Sequence, residues 1–390
     1  MSAENLMVVQ GGGPTAVFNT TLASIVEEAL AQSRIGKIFG ARSGMKGLSS
    51  GDTADLSCLG TTDILSIANS PGAALGSSRF KPTEEDLGRC VQHLRSLEVR
   101  HLIFMGGNGT MAGAQRFSDF CRNLGFELQI IGVPKTIDND IAATDRCPGF
   151  GSAARFVAQS TLDLSMDIRS LPQPVSIFET LGRDVGWLAA SATLARRKAD
   201  DAPQLVYVPE VPFSVPAFLS DLDDVVRRIG WAVVVVSEGI ANADGTPIFE
   251  QKIGSRGGTP NRPLIGGVAQ YLCGIVAEQL GVRCRSEKPG LIGRSCMAHV
   301  SGQDRQDAAL VGREGVRALM SGATNQMVAL GGLSHSSRAA SELIALREAA
   351  GPSRHIPAHW LTGDGSAVTD DFAEYVRPIV GELSYYHSIL

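Results

Sequence analysis

The 390-residue sequence lacks long hydrophobic runs: no apolar stretch reaches the roughly 18 residues that a membrane span needs. Its start, MSAENLMVVQGGG, has neither the basic stretch nor the apolar core of a secretion signal, so the expected location is the cytoplasm, with no membrane partner. Basic runs are missing too. Lysine and arginine are scattered and the formal net charge is −5, which excludes the electrostatic footprint of a nucleic-acid binder. The seven cysteines form no CxxC pair and are odd in number. That argues against a disulfide framework and a structural zinc site, and leaves reduced, mostly buried thiols. No GxxxxGK[ST] phosphate loop occurs, and no histidine, His299 included, pairs with a nearby serine or cysteine in a recognisable nucleophile setting.

What is present is an ordinary globular balance, 44% hydrophobic and 19% charged, in a chain long enough for two or three lobes. Short apolar runs, each followed by a glycine-rich turn and a helical pattern, recur: LMVVQ then GGGPTAVFN, HLIFMG then GNGTMAGA, LQIIGVP then KTIDND. Strand, turn and helix repeated in this way predict an α/β protein with mostly parallel sheets flanked by helices. Ligands in such sheets bind beyond the carboxyl ends of the strands, where all three polar segments fall. The stretch from Gly149 to Leu171 predicts a long helix. After it PVSIFET, QLVYVPE and WAVVVVSEG read as strands, and Val185–Arg197 and Ala217–Ile229 as helices, of a smaller lobe. Residues 303–320 predict a further helix and NQMVALGG a strand, while GSRGGTPNRP at 254–263 reads as a surface loop.

Gly11, Gly12 and Gly13 would let backbone amides approach an anion without Cβ obstruction, although a tight turn with no ligand needs the same glycines. A second such loop, Gly106–Thr110, could grip a polyphosphate from the other side. Two carboxylates two residues apart in Lys135-Thr136-Ile137-Asp138-Asn139-Asp140 are costly to place together unless a cation or a proton transfer uses them. Phosphoryl transfer needs such parts, with Asp138 as candidate base, Asp140 as candidate magnesium contact, and Arg79, Lys81, Lys135 and Arg183 as candidate donors to the phosphates. The alternative is an Asx-rich turn capping a helix. Gly149-Phe150-Gly151-Ser152-Ala153-Ala154 nominally fits the GxGxxA dinucleotide fingerprint, but no strand precedes it and no ribose-binding acid follows.

Taken in order, QGGGPTAVFN, GSSRF, GGNGT, PKTIDND, LGRDVGW, PEVPF and the later GRS, spread from residue 10 to 295, resemble the phosphofructokinase family, ATP- or pyrophosphate-dependent. The first block and CPGFGSAARF are most similar to the branch with pyrophosphate-dependent members. The resemblance implies a two-lobed fold with the active site in the cleft: residues 1–170 binding the phosphoryl donor, 171–300 the sugar, and 301–390 returning to the first lobe. It implies a homodimer or homotetramer, Mg2+, and a reaction that phosphorylates a sugar or sugar phosphate, by family default fructose 6-phosphate. Residue by residue, it makes Asp138 the base, Thr136 its neighbour at the transferring phosphate, and Arg183 a group beside it. It puts Asn108 and Asp140 at the metal, and Gly13, Arg79, Gly107, Gly109, Thr110 and Lys135 at the donor. Glu210 would hold sugar hydroxyls, and Arg285 and Arg294 the sugar's distal phosphate.

Donor choice in this resemblance turns on Gly109, where pyrophosphate users carry an aspartate that obstructs a nucleotide's α-phosphate. The open position favours ATP as donor, while Lys135 keeps pyrophosphate as the alternative. The acceptor side departs from the family pattern: Pro174 stands where it has a basic residue, Leu291 where it has His or Tyr, and Leu181 replaces the methionine of its MGR motif. Two groups for the distal phosphate are thereby absent, each such charge-assisted bond being worth roughly 1.5–3 kcal/mol. A different polyol without a distal phosphate is the alternative acceptor, and an inactive sugar-phosphate- or nucleotide-binding regulatory relative the alternative class.

Overall fold

A computed structural model describes residues 3–170, 174–251, 264–333, 340–362 and 367–387. The predicted loop 254–263 lies outside these described residues. The chain forms two compact units, the first made of Met1–Ser152 and Arg294–Arg354, the second of Ala153–Gly293 and His355–Leu390. The division thus falls just inside the long helix Phe150–Ser170 rather than after residue 170. The return to the first unit begins at Arg294 and stops at Arg354, so that residues 355–390 belong with the second unit and not, as expected, with the first.

The first unit is built on seven strands in the order Ser341–Ala345, Gln326–Leu330, Gln129–Pro134, Val99–Gly106, Glu4–Gln10, Ile35–Ala41 and Thr53–Asp55. The inner pairs are parallel and only the two edge strands run antiparallel. Alternate residues of each inner strand enter opposite cores. Met7, Val9, Leu102 and Phe104 pack on one face, and Leu6, Val8, Ile103 and Met105 on the other. Burial on both faces is why LMVVQ and HLIFMG read as unbroken apolar runs instead of alternating ones. The helix Gly302–Met320 is started by Ser301, whose hydroxyl accepts from the amide of Asp304.

The second unit has a fully parallel four-stranded sheet ordered Cys284–Glu287, Val175–Thr180, Ala232–Ser237 and Leu205–Tyr207. Helices Val215–Ile229 and Val268–Leu280 cover its core of Val175, Ile177, Val234, Val236, Phe218 and Leu272. Trp187, fully buried, packs within 6.0 Å of Phe372 and 6.1 Å of Trp360, which ties the C-terminal stretch into this unit. QLVYVPE contributes only a three-residue strand, and the helix expected over Val185–Arg197 is the short Trp187–Ser191 followed by a 3-10 turn at Ala192–Ala195.

Candidate active site

Three adjacent strands of the first unit, Glu4–Gln10, Val99–Gly106 and Gln129–Pro134, end side by side, and the predicted polar segments leave from their carboxyl ends. The backbone amide of Gly11 donates to Met105 O at 2.8 Å, and that of Lys135 to Gly106 O at 3.0 Å. A Cβ on Gly11 would stand 2.6 Å from Thr110 Oγ1, so Thr110 turns inward onto the first glycine loop. Gly12 has φ +78°, a conformation open to glycine. The loop is also held from above, where Ser77 Oγ donates to Gly12 O at 2.6 Å.

Cations crowd this edge. Lys135 is 3% exposed, and its Nζ donates to Gly13 O at 2.6 Å and lies 4.6 Å from the Phe18 ring centre. Burial pushes the ammonium down to about 7, against the upward pull of Asp138 and Asp140 and with a further downward push from Arg294. The guanidinium of Arg294 would be 2.8 Å from a Cβ on Gly13. Its own affinity for the proton is lowered by burial and by Arg79, and raised by Asp138. The resemblance gave Arg294 to the sugar's distal phosphate; its guanidinium lies at Gly13 on the first glycine loop, where the chain enters the first unit and Ala16 N bonds to Arg294 O. Lys135 and Arg294 on a glycine loop at the ends of parallel strands, with Arg79 close enough to Arg294 to lower its proton affinity, are an arrangement that could receive an anion.

The acidic half sits next to it. Asn108 Nδ2 donates to Asp140 Oδ2 at 2.8 Å and to Asp140 O at 3.1 Å, and Thr136 Oγ1 to Asp140 Oδ1 at 3.3 Å. The amide of Asp138 donates to Thr136 Oγ1 at 3.1 Å. Asn108 Oδ1 is buried without a hydrogen-bond partner. An orphaned amide oxygen beside a carboxylate fits a magnesium ion, which takes one or two protein oxygens and fills its remaining positions with water and phosphate. Among the described residues no group of three or more His, Cys, Asp and Glu side chains could hold a metal without such help. Gly107 caps the helix Asn108–Asn123, and Gly109 is exposed in its first turn, with nothing within 4 Å of where its Cβ would be.

Sequence reasoning missed the clamp on this segment. Arg354, at the end of the first unit, donates from Nε to Asn139 O at 3.2 Å and from its guanidinium to Thr144 O at 3.0 Å and Asp145 O at 2.5 Å. Its amide bonds to Asp140 O at 2.8 Å. The clamp holds a turn in which Asn139 and Ala143 both have positive φ, +53° and +60°. Buried Asp304 fixes the far side by accepting from the amides of Gly149 and Ser152 at 2.8 and 2.9 Å. Burial pushes its carboxyl up to about 6 against the pull of those bonds.

In the second unit, Arg183 follows the strand Val175–Thr180, with its carbonyl packed where a Cβ on Gly239 would stand. Glu210 Oε1 accepts from the amides of Gly186 at 3.0 Å and Ile356 at 3.2 Å, while Oε2 is buried and unpartnered. Arg285 is exposed on the strand Cys284–Glu287, opposite Ser176, and Leu291 is 62% exposed. Three charged residues at the strand ends went unnoticed. Glu179, 2% exposed, accepts from the amides of Gly267 and Ala269 and pairs with Lys288 at 3.1 Å. Glu238 is raised by burial and by Glu179, with Lys288 and Arg183 pulling it down. Glu238 is an acid just past the strand Ala232–Ser237, a position that could have drawn notice, whereas Glu179 lies inside Val175–Thr180 and only its burial and partners single it out.

A family model described as phosphofructokinase matches residues 5–319. The pyrophosphate–fructose 6-phosphate 1-phosphotransferase of Xanthomonas campestris is 35% identical over 97% of this chain and 92% of its own length. A sulfofructose kinase of Alkalicoccus urumqiensis is 34% identical over 82% of this chain and 81% of its own. The crystal structure of a pyrophosphate-dependent phosphofructokinase from Marinobacter aquaeolei superposes with a TM-score of 0.88 at 29% identity, covering 98% of this chain and 93% of that one. Two of these three names are of pyrophosphate-dependent enzymes, where the Gly109 position led the expectation to ATP.

Proposed function

The chain belongs to the phosphofructokinase family, phosphotransferases with an alcohol group as acceptor, and we propose that it transfers a phosphoryl group from pyrophosphate to a hydroxyl of a sugar phosphate, fructose 6-phosphate first among them. The observation that carries this reading is the clustering of Arg79, Lys135 and Arg294 at the Gly11–Gly13 loop beside Asp138. Lys135 has lost much of its proton affinity to burial, and a compact dianionic or more highly charged group at the loop would restore it. In this reading the acceptor oxygen attacks phosphorus, Asp138 takes its proton, and the bond from phosphorus to the bridging oxygen breaks to release phosphate. Arg79 and Arg294 hold the donor's outer oxygens. Thr136 orients the turn through the amide of Asp138. Asn108 Oδ1 and Asp140 would hold Mg2+, which supplies charge neutralisation on the polyphosphate when bound. Arg183, Glu210 and Arg285 of the second unit are the proposed acceptor contacts.

A second reading has its own support. The empty space at Gly109 suits a nucleotide, and Pro174 and Leu291 suit an acceptor whose far end carries less charge than a phosphate. ATP with a singly charged sulfo-sugar, the acceptor class named for one relative, fits both departures. A screen of pyrophosphate and ATP against fructose 6-phosphate, sulfofructose and unphosphorylated ketoses separates the two. Faster turnover with pyrophosphate and fructose 6-phosphate supports the first. Activity confined to ATP, or to acceptors lacking a phosphate, overturns it. In Asp138→Asn, transfer should be lost while donor binding persists; a wild-type protein inactive with every pair would point to the regulatory class.

A further inference from the structure

Two of the seven cysteines come together within the second unit. Cys273 lies in the helix Val268–Leu280 and Cys284 opens the strand Cys284–Glu287. Both are free thiols, and their sulfurs are 2.7 Å apart, in direct contact though longer than the roughly 2.03–2.05 Å of a disulfide. Cys273 is 6% exposed, whereas Cys284 is partly open to solvent. Burial pushes the thiols of Cys90, Cys121 and Cys147 up to about 12, and that of Cys284 is pushed up as well, first by its hydrogen bond with Cys273 and then by burial. We propose that Cys273 and Cys284 form a redox-active pair, closed to an intramolecular disulfide by exchange with a low-molecular-weight disulfide and reopened by a thiol.

The exchange balances in two displacements. Cys284, the accessible sulfur, loses its proton and attacks one sulfur of the small disulfide, which releases one small thiolate. Cys273 then loses its proton and attacks Cys284 Sγ in the mixed disulfide, expelling the second thiolate. The two leaving groups take up the two protons. One small disulfide is reduced to two thiols, and two protein thiols are oxidised to one bond. The helix and strand are already packed together, so neither needs to move far for the second step.

The bond would join the start of the strand, opposite Val175, to the middle of the helix Val268–Leu280, so that it ties together the two elements that lead to the charged group at the strands' other end. The helix carrying Cys273 receives Glu179 on its Gly267 and Ala269 amides, and the strand opened by Cys284 carries Arg285 and leads to Lys288, the partner of Glu179. A closed bridge adds a covalent tie between strand and helix, and an open one leaves the strand held by its ladder to Val175–Thr180, the bond from Ser286 Oγ to Gln270 Oε1 at 2.7 Å and the Lys288–Glu179 pair. The consequence for the acceptor rests on the function proposed above; the bond itself does not.

The test equilibrates the full chain with graded ratios of oxidised to reduced glutathione, quenches with an alkylating reagent and reads intact mass and peptide map. The expected result is the loss of two hydrogens and of two alkylatable thiols, with the Cys273 and Cys284 peptides joined, all reversed by excess reduced glutathione. Cys284→Ser and Cys273→Ser should each abolish the joined peptide. Full alkylation of Cys284 at the most oxidising ratio would overturn the proposal, as would a stable glutathione adduct on Cys284 that never resolves. The wild-type mass measurement needs no variant to fold. In a kinetic arm the oxidised protein should shift its acceptor KM with the donor KM unchanged, and Cys284→Ser should not respond. A joined peptide with no KM shift refutes the coupling to the acceptor, whereas a joined peptide in a protein that phosphorylates no sugar refutes the functional reading and leaves the redox pair standing.

Discussion

Lys135→Met should make the protein more stable and a worse enzyme, and the two effects should part company with pH. The side chain becomes one heavy atom shorter, keeps an apolar stem and loses its charge. In the folded protein the Lys135 ammonium releases its proton at about 7, against 10.5 for the ordinary group, with burial as the largest cause. The unfolded chain therefore binds more protons than the folded one between those two values, so this residue opposes folding fully below pH 7 and progressively less as pH rises toward 10.5. At about 1.36 kcal/mol per tenfold change in proton affinity, the opposition is on the order of 5 kcal/mol at its fullest. Methionine removes it but leaves Gly13 O without its buried donor, a loss of about 1–3 kcal/mol. The variant should thus gain roughly 2–4 kcal/mol near pH 6 and lose the advantage, ending slightly less stable, by about pH 10.

Urea unfolding at those two pH values measures the difference directly, and pyrophosphate titration measures the other half. Loss of one charge-assisted contact to the donor, worth about 1.5–3 kcal/mol, should weaken pyrophosphate by about one to two powers of ten. A variant less stable than wild type near pH 6, or a stability gap that stays constant with pH, would refute the account of Lys135 as a buried cation waiting for an anion. Unchanged pyrophosphate affinity would separate the lysine from the donor.

The α/β architecture is legible because the inner strands are buried on both faces, which leaves runs such as HLIFMG and WAVVVVS unmistakable. The strands that escaped are the inner Ile35–Ala41, whose run IGKIFGA is broken by two glycines and a lysine, and Thr53–Asp55, Cys284–Glu287 and Ser341–Ala345, short edge strands with exposed or half-polar faces that only pairing with a neighbour defines. At the site, the segments carrying Gly13, Asn108 and Asp138 are readable from their place after strands. The direction of a long side chain is not: Arg294 was readable as a phosphate-binding arginine, but its seat on Gly13 depends on where the chain re-enters the first unit. Arg354 and Ser353 stand in an unpatterned stretch, PSRH, and acquire meaning only when that stretch returns to the 139–145 turn. The eleven-residue spacing of Cys273 and Cys284 matches no motif, so their approach is a product of packing alone.

Gly109→Asp should leave stability unchanged or raise it by about 0.3–1 kcal/mol, since an acid in the first turn of Asn108–Asn123 meets open space and a favourable helix dipole; ATP use should fall far more than pyrophosphate use, and equal losses with both donors would sink the steric argument. Asp304→Asn should destabilise by about 2–4 kcal/mol in urea unfolding, because an amide NH2 would face the Ser152 or Gly149 N–H that now donates to a carboxylate oxygen. In wild type the Asp304 carboxyl holds its proton to about 6, above the ordinary 3.8, so its contribution to stability falls as pH rises through that window, a slope the Asn variant should lack. Arg354→Ala tests whether the turn bearing Asp138 and Asp140 is positioned from outside. The substitution leaves the amide bond to Asp140 O but strips the carbonyls of Asn139, Thr144 and Asp145 of their guanidinium donor, at about 2–4 kcal/mol in stability. With two positive-φ residues in the turn no longer pinned, the carboxylates should wander by enough to lower kcat by about a hundredfold while the acceptor KM changes little. Lysine cannot reach three carbonyls with one ammonium, so Arg354→Lys should recover charge and solubility without recovering kcat; a lysine variant near wild-type kcat would mean that the turn holds its shape unaided.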